Sequence, residues 1–203
     1  FTPKTSSLIK KMVSDCFSEE IGYVIEGDST IAKKLLELPF NHIFFTGSSS
    51  VGKLIMKAAA SHLSSITLEL GGKSPTIIDQ TADVADTVRK VAWGKWLNAG
   101  QTCVAPDFIY VHEKVAERFT AAIIQEAQNR FPKNDYTSIV SHHHLERLQS
   151  MLEDAMEKGA KIEWEGGIDK EKQKIYPVIL SEVQDSMEVM KEEIFGPLLP
   201  IRK

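Results

Sequence analysis

The apolar positions of this 203-residue chain change period several times, and the changes mark out its elements. From Thr5 to Phe17 they fall at Leu8, Ile9, Met12, Val13 and Phe17, the spacing of one helix face, with Thr5 or Ser6 placed to cap it. That face, and Cys16 near its end, are expected to be core. Tyr23-Val24-Ile25 reads as a short strand ending at Gly27-Asp28, after which Ser29 can cap a helix to about Leu38 that Pro39 stops. Ile43-Phe44-Phe45 has the composition of a buried strand. It empties into Thr46-Gly47-Ser48-Ser49-Ser50-Val51-Gly52 and a helix through about Ala60.

Ile66-Thr67-Leu68 then leads by an extended path to a double glycine, and Ser74 to Ile78 reads as the first strand of a second unit. The boundary between units is expected near Leu70 to Lys73, because paired glycines tolerate positive φ and close backbone approach. Asp83 begins a helix to about Trp96 with Val84, Val88, Val91 and Ala92 inside, and Trp93 and Trp96 read as packing residues. Phe108-Ile109-Tyr110-Val111 reads as a buried strand. Glu113 to Phe131 reads as a long helix with Val115, Phe119, Ala122, Ile123 and Ala127 facing inward. Ser141 opens a helix to Gly159. Lys161 to Trp164 and Ile175 to Ile179 are further strands, separated by an exposed polar loop from Gly166 to Lys174, and Pro177 marks an edge or a bulge. The alternation of strand and helix indicates the α/β class.

Composition narrows the picture. An apolar content of 42% over 203 residues supports a sizeable core, in one large or two small domains. Twenty-four basic residues against 28 acidic ones give a formal charge of -4, and no basic cluster stands out, so no nucleic-acid partner is expected. No run approaches the roughly 18 apolar residues of a membrane span, and Phe1-Thr2-Pro3-Lys4 lacks a secretory pattern, so the expectation is an intracellular, cytoplasmic protein. Cys16 and Cys103 are too few for a disulfide framework, although one bridge between them is compatible with the sequence.

Candidate chemistry concentrates between Leu68 and Cys103. Glu69 sits between two leucines ahead of Gly71-Gly72-Lys73, and Cys103 follows Asn98-Ala99-Gly100-Gln101-Thr102 in the connection between a helix and a strand. A thiol that can become a thiolate and a carboxylate able to take a proton are the parts of covalent catalysis through sulfur. The apolar neighbours of Glu69 suggest a sheltered carboxylate, poised closer to neutrality. The structural alternatives are a strand-end pair between Glu69 and Lys73, and a buried Cys103 acting as a small hydrophobe. The hydroxyl-rich turn at Gly47 and Ser48 opens a helix whose first amides point outward, which suits an anion, or Ser48 or Ser49 merely caps that helix. Gly47 to Lys53 also spells most of a nucleotide triphosphatase phosphate loop, but Leu54 stands where that loop needs a hydroxyl for magnesium. Three adjacent histidines, His142 to His144, point about 100° apart on a helix and do not form a metal site. Glu192-Glu193-Ile194-Phe195-Gly196-Pro197, taken alone, reads as a charged turn.

Three stretches in this order, Glu69-Leu70-Gly71-Gly72-Lys73, Gly100-Gln101-Thr102-Cys103 and Glu192 to Pro197, resemble the signature motifs of the aldehyde dehydrogenase superfamily. The wording around Phe45-Thr46-Gly47-Ser48 and Gly196-Pro197-Leu198-Leu199-Pro200-Ile201 is most similar to the class 3 type that oxidises fatty and aromatic aldehydes. The resemblance implies an α/β fold of two open, mainly parallel sheets flanked by helices, truncated at both ends. Residues 1–70 would be a partial dinucleotide-binding domain and residues 71–203 the thiol-bearing catalytic domain. It implies NAD or NADP as cofactor and oxidation of an aldehyde to an acid through a cysteine thiohemiacetal and thioester. Cys103 would be the nucleophile and Glu69 the base for hydrolysis. Gly47 and Ser48 would lie against the pyrophosphate, Glu193 would hold the nicotinamide ribose, and Phe195 would pack by the ring.

The chain also departs from the family pattern. The Pro-Trp-Asn-Phe-Pro motif that supplies an oxyanion donor and the Lys-Pro-Ser-Glu motif that holds the other ribose are absent from these residues and belong upstream, so the chain is expected to be a fragment of a homodimeric enzyme. Asn98 is expected to order the cysteine loop and not to serve as that donor. The alternatives are a non-catalytic binding module, a phosphate-loop nucleotide-binding protein, and a phosphorylating or coenzyme A-dependent relative. Glu69 favours hydrolysis among these last.

Overall fold

The computed structural model of the chain describes residues 1–131 and 135–203, which fall into two units, Phe1–Leu70 and Gly71–Lys203. In the first unit, α1 (Pro3–Cys16), α2 (Ser29–Leu35), β1 (His42–Gly47), α3 (Ser49–Ala60) and β2 (Ser65–Leu70) follow in order. The cap of α2 is Asp28 and not Ser29: its carboxylate accepts from the amides of Thr30 and Ile31 at 2.8 and 3.3 Å, which holds its pKa below the ordinary carboxylate range. β1 and β2 pair in parallel from His42 opposite Ser65 to Gly47 opposite Leu70. α3 joins them as the crossover and packs on both strands, burying Ile55 and Ala59. Gly52 lets this helix approach closely, since a Cβ there would come within 2.9 Å of Leu70 Cδ2.

The apolar stripes of this unit are more open than their spacing predicts. Leu8, Ile9, Met12 and Cys16 are exposed on α1, as is Phe17 just after it. Tyr23-Val24-Ile25 forms no strand. Phe44, expected in a buried strand, is 66% exposed, because a two-stranded sheet with one crossover helix covers only one of its faces.

The second unit holds the large core. Its elements are β3 (Pro75–Ile78), α4 (Val84–Trp96), β4 (Phe108–Val111), α5 (Glu113–Arg130), α6 (His142–Glu157), β5 (Lys161–Glu165), β6 (Ile168–Asp169), β7 (Lys174–Ile175), β8 (Val178–Ser181), α7 (Glu188–Lys191) and β9 (Leu198–Arg202). One sheet runs in the order β3-β4-β9-β8-β5; its first four strands are mutually parallel, and β5 is antiparallel to β8. The central strands are apolar on both faces, as buried parallel strands must be: Val178, Ile179, Leu180, Leu198 and Leu199 have no exposed surface. Val84, Val88, Val91 and Ala92 of α4 and Val115, Phe119, Ile123 and Ala127 of α5 join this core, as their period predicts. Asp83, His112 and Ser141 cap α4, α5 and α6 through their side chains. The stretch expected as a bare loop instead folds into the β6–β7 hairpin with Ile175 buried; Pro177 lies just before β8, its carbonyl accepting from the Gly166 amide at 3.0 Å, and an irregularity in β5 between Ile162 and Trp164 lies opposite Ile179 and Leu180. Tyr110, expected inside, is exposed on the sheet face away from α4 and α5. No helix among the described residues is long and apolar enough to cross a membrane.

Candidate active site

Cys103 is exposed on the loop between α4 and β4, and its thiol and that of Cys16 are both free. That loop is held by a tight chain reversal. Asn98 and Ala99 take left-handed backbone angles (φ 53° and 55°) within a 3-10 turn, Leu97–Gly100, and Gly100 follows at φ 73°. Asn98 Nδ2 donates to the Gln101 carbonyl at 3.1 Å, which stabilises the turn as its place in the motif suggests. The Gln101 amide donates to the Asn98 and Ser138 carbonyls and accepts from the Val140 amide at 2.8 Å, tying the loop to the segment before α6. At Gly100 a side chain is excluded twice. The backbone is left-handed, and a Cβ would lie 2.3 Å from the Gly196 carbonyl oxygen.

Gly196 belongs to the Glu192–Pro197 stretch, so the turn before the thiol rests directly on the segment bearing Glu193 and Phe195. Trp96 adds a second tie: it is 1% exposed and its indole donates to the Pro197 carbonyl at 3.1 Å. Phe195 has φ 46° and is half-buried. Glu193, also half-buried, lies on the glycine pair. A Cβ on Gly71 would sit 1.7 Å from Glu193 Oε2, and the Gly72 amide donates to the carboxylate. Burial raises the Glu193 pKa and Asp107 adds to this, while the Gly72 amide, Arg147 and Lys73 oppose it.

The polypeptide around Glu193 is held by side chains that the sequence does not single out. Asp107, 3% exposed, accepts from the Ile194 amide at 2.8 Å through one oxygen and pairs with Lys73 through the other. Lys73 Nζ also donates to the Val189 and Glu192 carbonyls at 2.6 and 3.2 Å, so this lysine is committed to Asp107 and these carbonyls. Arg147 on α6 donates to the Glu193 and Ile194 carbonyls at 3.1 and 2.5 Å. Lys95, 1% exposed, points its ammonium at the Asp107 carbonyl at 3.5 Å, and burial lowers its pKa to about 8 against the pull of Asp107. Lys95 had a sequence signal, since it continues the Val84, Val88, Val91 stripe at helical spacing. Asp107 and Arg147 had none; the Ile194 amide that Asp107 receives lies 87 residues away, and the Glu193 carbonyl that Arg147 holds lies 46 away.

In the first unit, Glu69 pairs with Thr46 across β1 and β2, at the carboxyl end where Gly47 and Ser48 turn into α3. Glu69 is exposed, and the sheltered setting expected from Leu68 and Leu70 is absent because strand neighbours point to the opposite face. Ser48 Oγ accepts from the Val51 amide at 3.4 Å, leaving the amides of Ser49 and Ser50 without intrahelical partners, and no acid occupies the first turn. These features fit a phosphate-bearing cofactor at the turn, and Glu193, an acceptor-only group when ionised, fits a pair of ribose hydroxyls. Among the described residues no cluster of His, Cys, Asp and Glu has metal-binding geometry.

Comparison with known proteins gives consistent matches. The sequence profile of the aldehyde dehydrogenase family matches residues 1–203. Mouse aldehyde dehydrogenase family 3 member A2 is 38% identical over 97% of this chain and 41% of its own length. The structure of a substrate-bound state of Staphylococcus aureus AldH superposes with a TM-score of 0.90 at 39% identity, over 100% of this chain and 45% of that one. A Staphylococcus aureus betaine aldehyde dehydrogenase solved in complex with NAD+ superposes at 0.87 with 27% identity, over 96% of this chain and 42% of that one. The chain spans less than half the length of each of these proteins.

Proposed function

Because this chain belongs to the aldehyde dehydrogenase family, we propose that it carries the thiol-bearing site of an enzyme oxidising an aldehyde to a carboxylic acid. The observation that carries this reading is the direct seating of the Gly100 turn, three residues before Cys103, on the Gly196 carbonyl of the segment bearing Glu193 and Phe195. A nucleophile and a ribose-binding carboxylate locked into one backbone assembly suit a reaction between a thiol adduct and a nicotinamide.

Cys103 Sγ, as thiolate, bonds to the aldehyde carbon, and the carbonyl oxygen takes the electron pair and then a proton to give a thiohemiacetal. Gly47 and Ser48 with the free amides of α3 would hold the pyrophosphate of NAD or NADP, Glu193 its nicotinamide ribose, and Phe195 would limit where the ring lies. When bound, the dinucleotide would supply a hydride acceptor; loss of hydride from the thiohemiacetal carbon and of the hydroxyl proton to solvent turns the Cys103 adduct into a thioester. Glu69 takes a proton from the water that adds to that carbonyl; the C–S bond breaks, the acid leaves and the thiolate returns. The exposed position of Glu69 supports this role, because a base for incoming water has to meet solvent. The free, exposed thiols suit a reducing compartment, and the cytoplasm is the proposed location. A homodimeric parent enzyme is proposed on the family resemblance alone.

The test is absorbance of the reduced nicotinamide on mixing the chain with a reactive aldehyde and NAD or NADP, beside Cys103→Ala. Cysteine-dependent reduction is expected. Reduction at the same rate in Cys103→Ala would refute the assignment, and dinucleotide binding without reduction would favour a non-catalytic module.

A further inference from the structure

We propose that Asp107 is a positioning residue that sets the Glu193 carboxylate and the Phe195 ring through the Ile194 amide. This rests on the reading of Glu193 as the ribose-holding group. Asp107 lies four residues beyond Cys103, at the entry to β4, and its own amide is fixed by the Ser74 carbonyl at 2.9 Å. Its side chain therefore projects from a rigid strand end. One oxygen receives the Ile194 amide at 2.8 Å, between the two residues assigned to the cofactor. The other takes Lys73, the last residue of the first motif, which also holds the Val189 and Glu192 carbonyls. Arg147 closes the cage on the Glu193 and Ile194 carbonyls. A single buried carboxylate, four residues beyond the second motif, thus joins the first motif to the third.

The alternative is that Asp107 only balances Lys73 and Lys95. The two roles differ in what they ask of the side chain: positioning needs an acceptor facing Ile194, and balance needs a negative charge. Asp107→Asn keeps an oxygen that can accept, whereas Asp107→Leu has the size but no acceptor. In the full chain, amide exchange at Ile194 is followed by NMR with the Ile109 amide of β4 as internal reference, and NAD affinity by fluorescence titration. Asp107→Leu is expected to speed exchange at Ile194 about tenfold relative to Ile109 and to weaken NAD about tenfold, the loss of one hydrogen bond to a charged acceptor. Asp107→Asn is expected to stay within about threefold of wild type in both. Should Asp107→Leu fail to fold, Asp107→Leu with Lys73→Met is read against Lys73→Met alone, and the difference between those two is assigned to Asp107. Ile194 exchange unchanged in the leucine variant, or an asparagine variant as impaired as the leucine one, would overturn the proposal. A wild-type chain that binds no dinucleotide would count against the proposed function and leave the exchange comparison to decide on Asp107.

Discussion

Replacing Lys95 by Met should stabilise the second unit, and the gain should depend on pH in a defined way. Lys95 is wholly buried, and burial brings its pKa from the ordinary 10.5 to about 8, with Asp107 and Glu193 favouring its charge and Lys73 opposing it. Below pH 8 the lysine is charged in both folded and unfolded chains, and the full penalty of burying that charge is present. Between about pH 8 and 10.5 the unfolded chain holds the proton and the folded one releases it, so stability rises with pH. The gap of about 2.5 pH units corresponds to about 3 kcal/mol of penalty at neutral pH. Met has similar length and no charge, and it forfeits only a long contact to the Asp107 carbonyl at 3.5 Å. Urea unfolding can be read by tryptophan emission, because Trp93, Trp96 and Trp164 all lie in the second unit. The variant should be more stable by up to about 3 kcal/mol at pH 7, with the two proteins converging towards pH 10.5. Stability–pH curves that run parallel from pH 7.5 to 10 would refute the reasoning.

Three further substitutions test the site. In Gly71→Ala the added methyl group would fall 1.7 Å from Glu193 Oε2 and displace the carboxylate, so NAD affinity should drop about tenfold while alkylation of Cys103 by iodoacetamide keeps its rate. Gly100→Ala meets both a left-handed backbone and the Gly196 carbonyl and should cost about 3 kcal/mol in urea unfolding of the second unit; a loss below about 1 kcal/mol would mean the turn can relax. Glu69→Gln should leave the first turnover near wild type and slow thioester hydrolysis about a hundredfold, visible as a burst of reduced nicotinamide; an unchanged steady state would remove Glu69 as the base.

The long helices and core strands of the second unit were legible because each is covered, and a covered face imprints its period: Val84, Val88 and Val91 announce α4 by their spacing alone, whereas the short β6–β7 hairpin and α7 left no such mark. The same stripe reaches Lys95, and a charge on a stripe of valines is the mark of a buried ionic cluster. In the first unit the period of α1 was equally clear, yet Leu8, Ile9 and Met12 are exposed. Periodicity tells which face needs a cover and not what covers it. Glu69 misled for a related reason, since flanking residues in a strand point to the opposite face and give no shelter. The contacts of Asp107 and Arg147 with the Glu193–Ile194 backbone were invisible because a carbonyl or an amide looks the same behind every residue type.

The contact of Gly100 with the Gly196 carbonyl is made by main-chain atoms on both sides. Side-chain exchange does not reach it directly, so drift in the surrounding sequence leaves the spacing between the two motif stretches intact. Exposed neighbours such as Trp93 and Val104 can therefore vary without altering how the Cys103 loop is seated on the Glu192–Pro197 stretch.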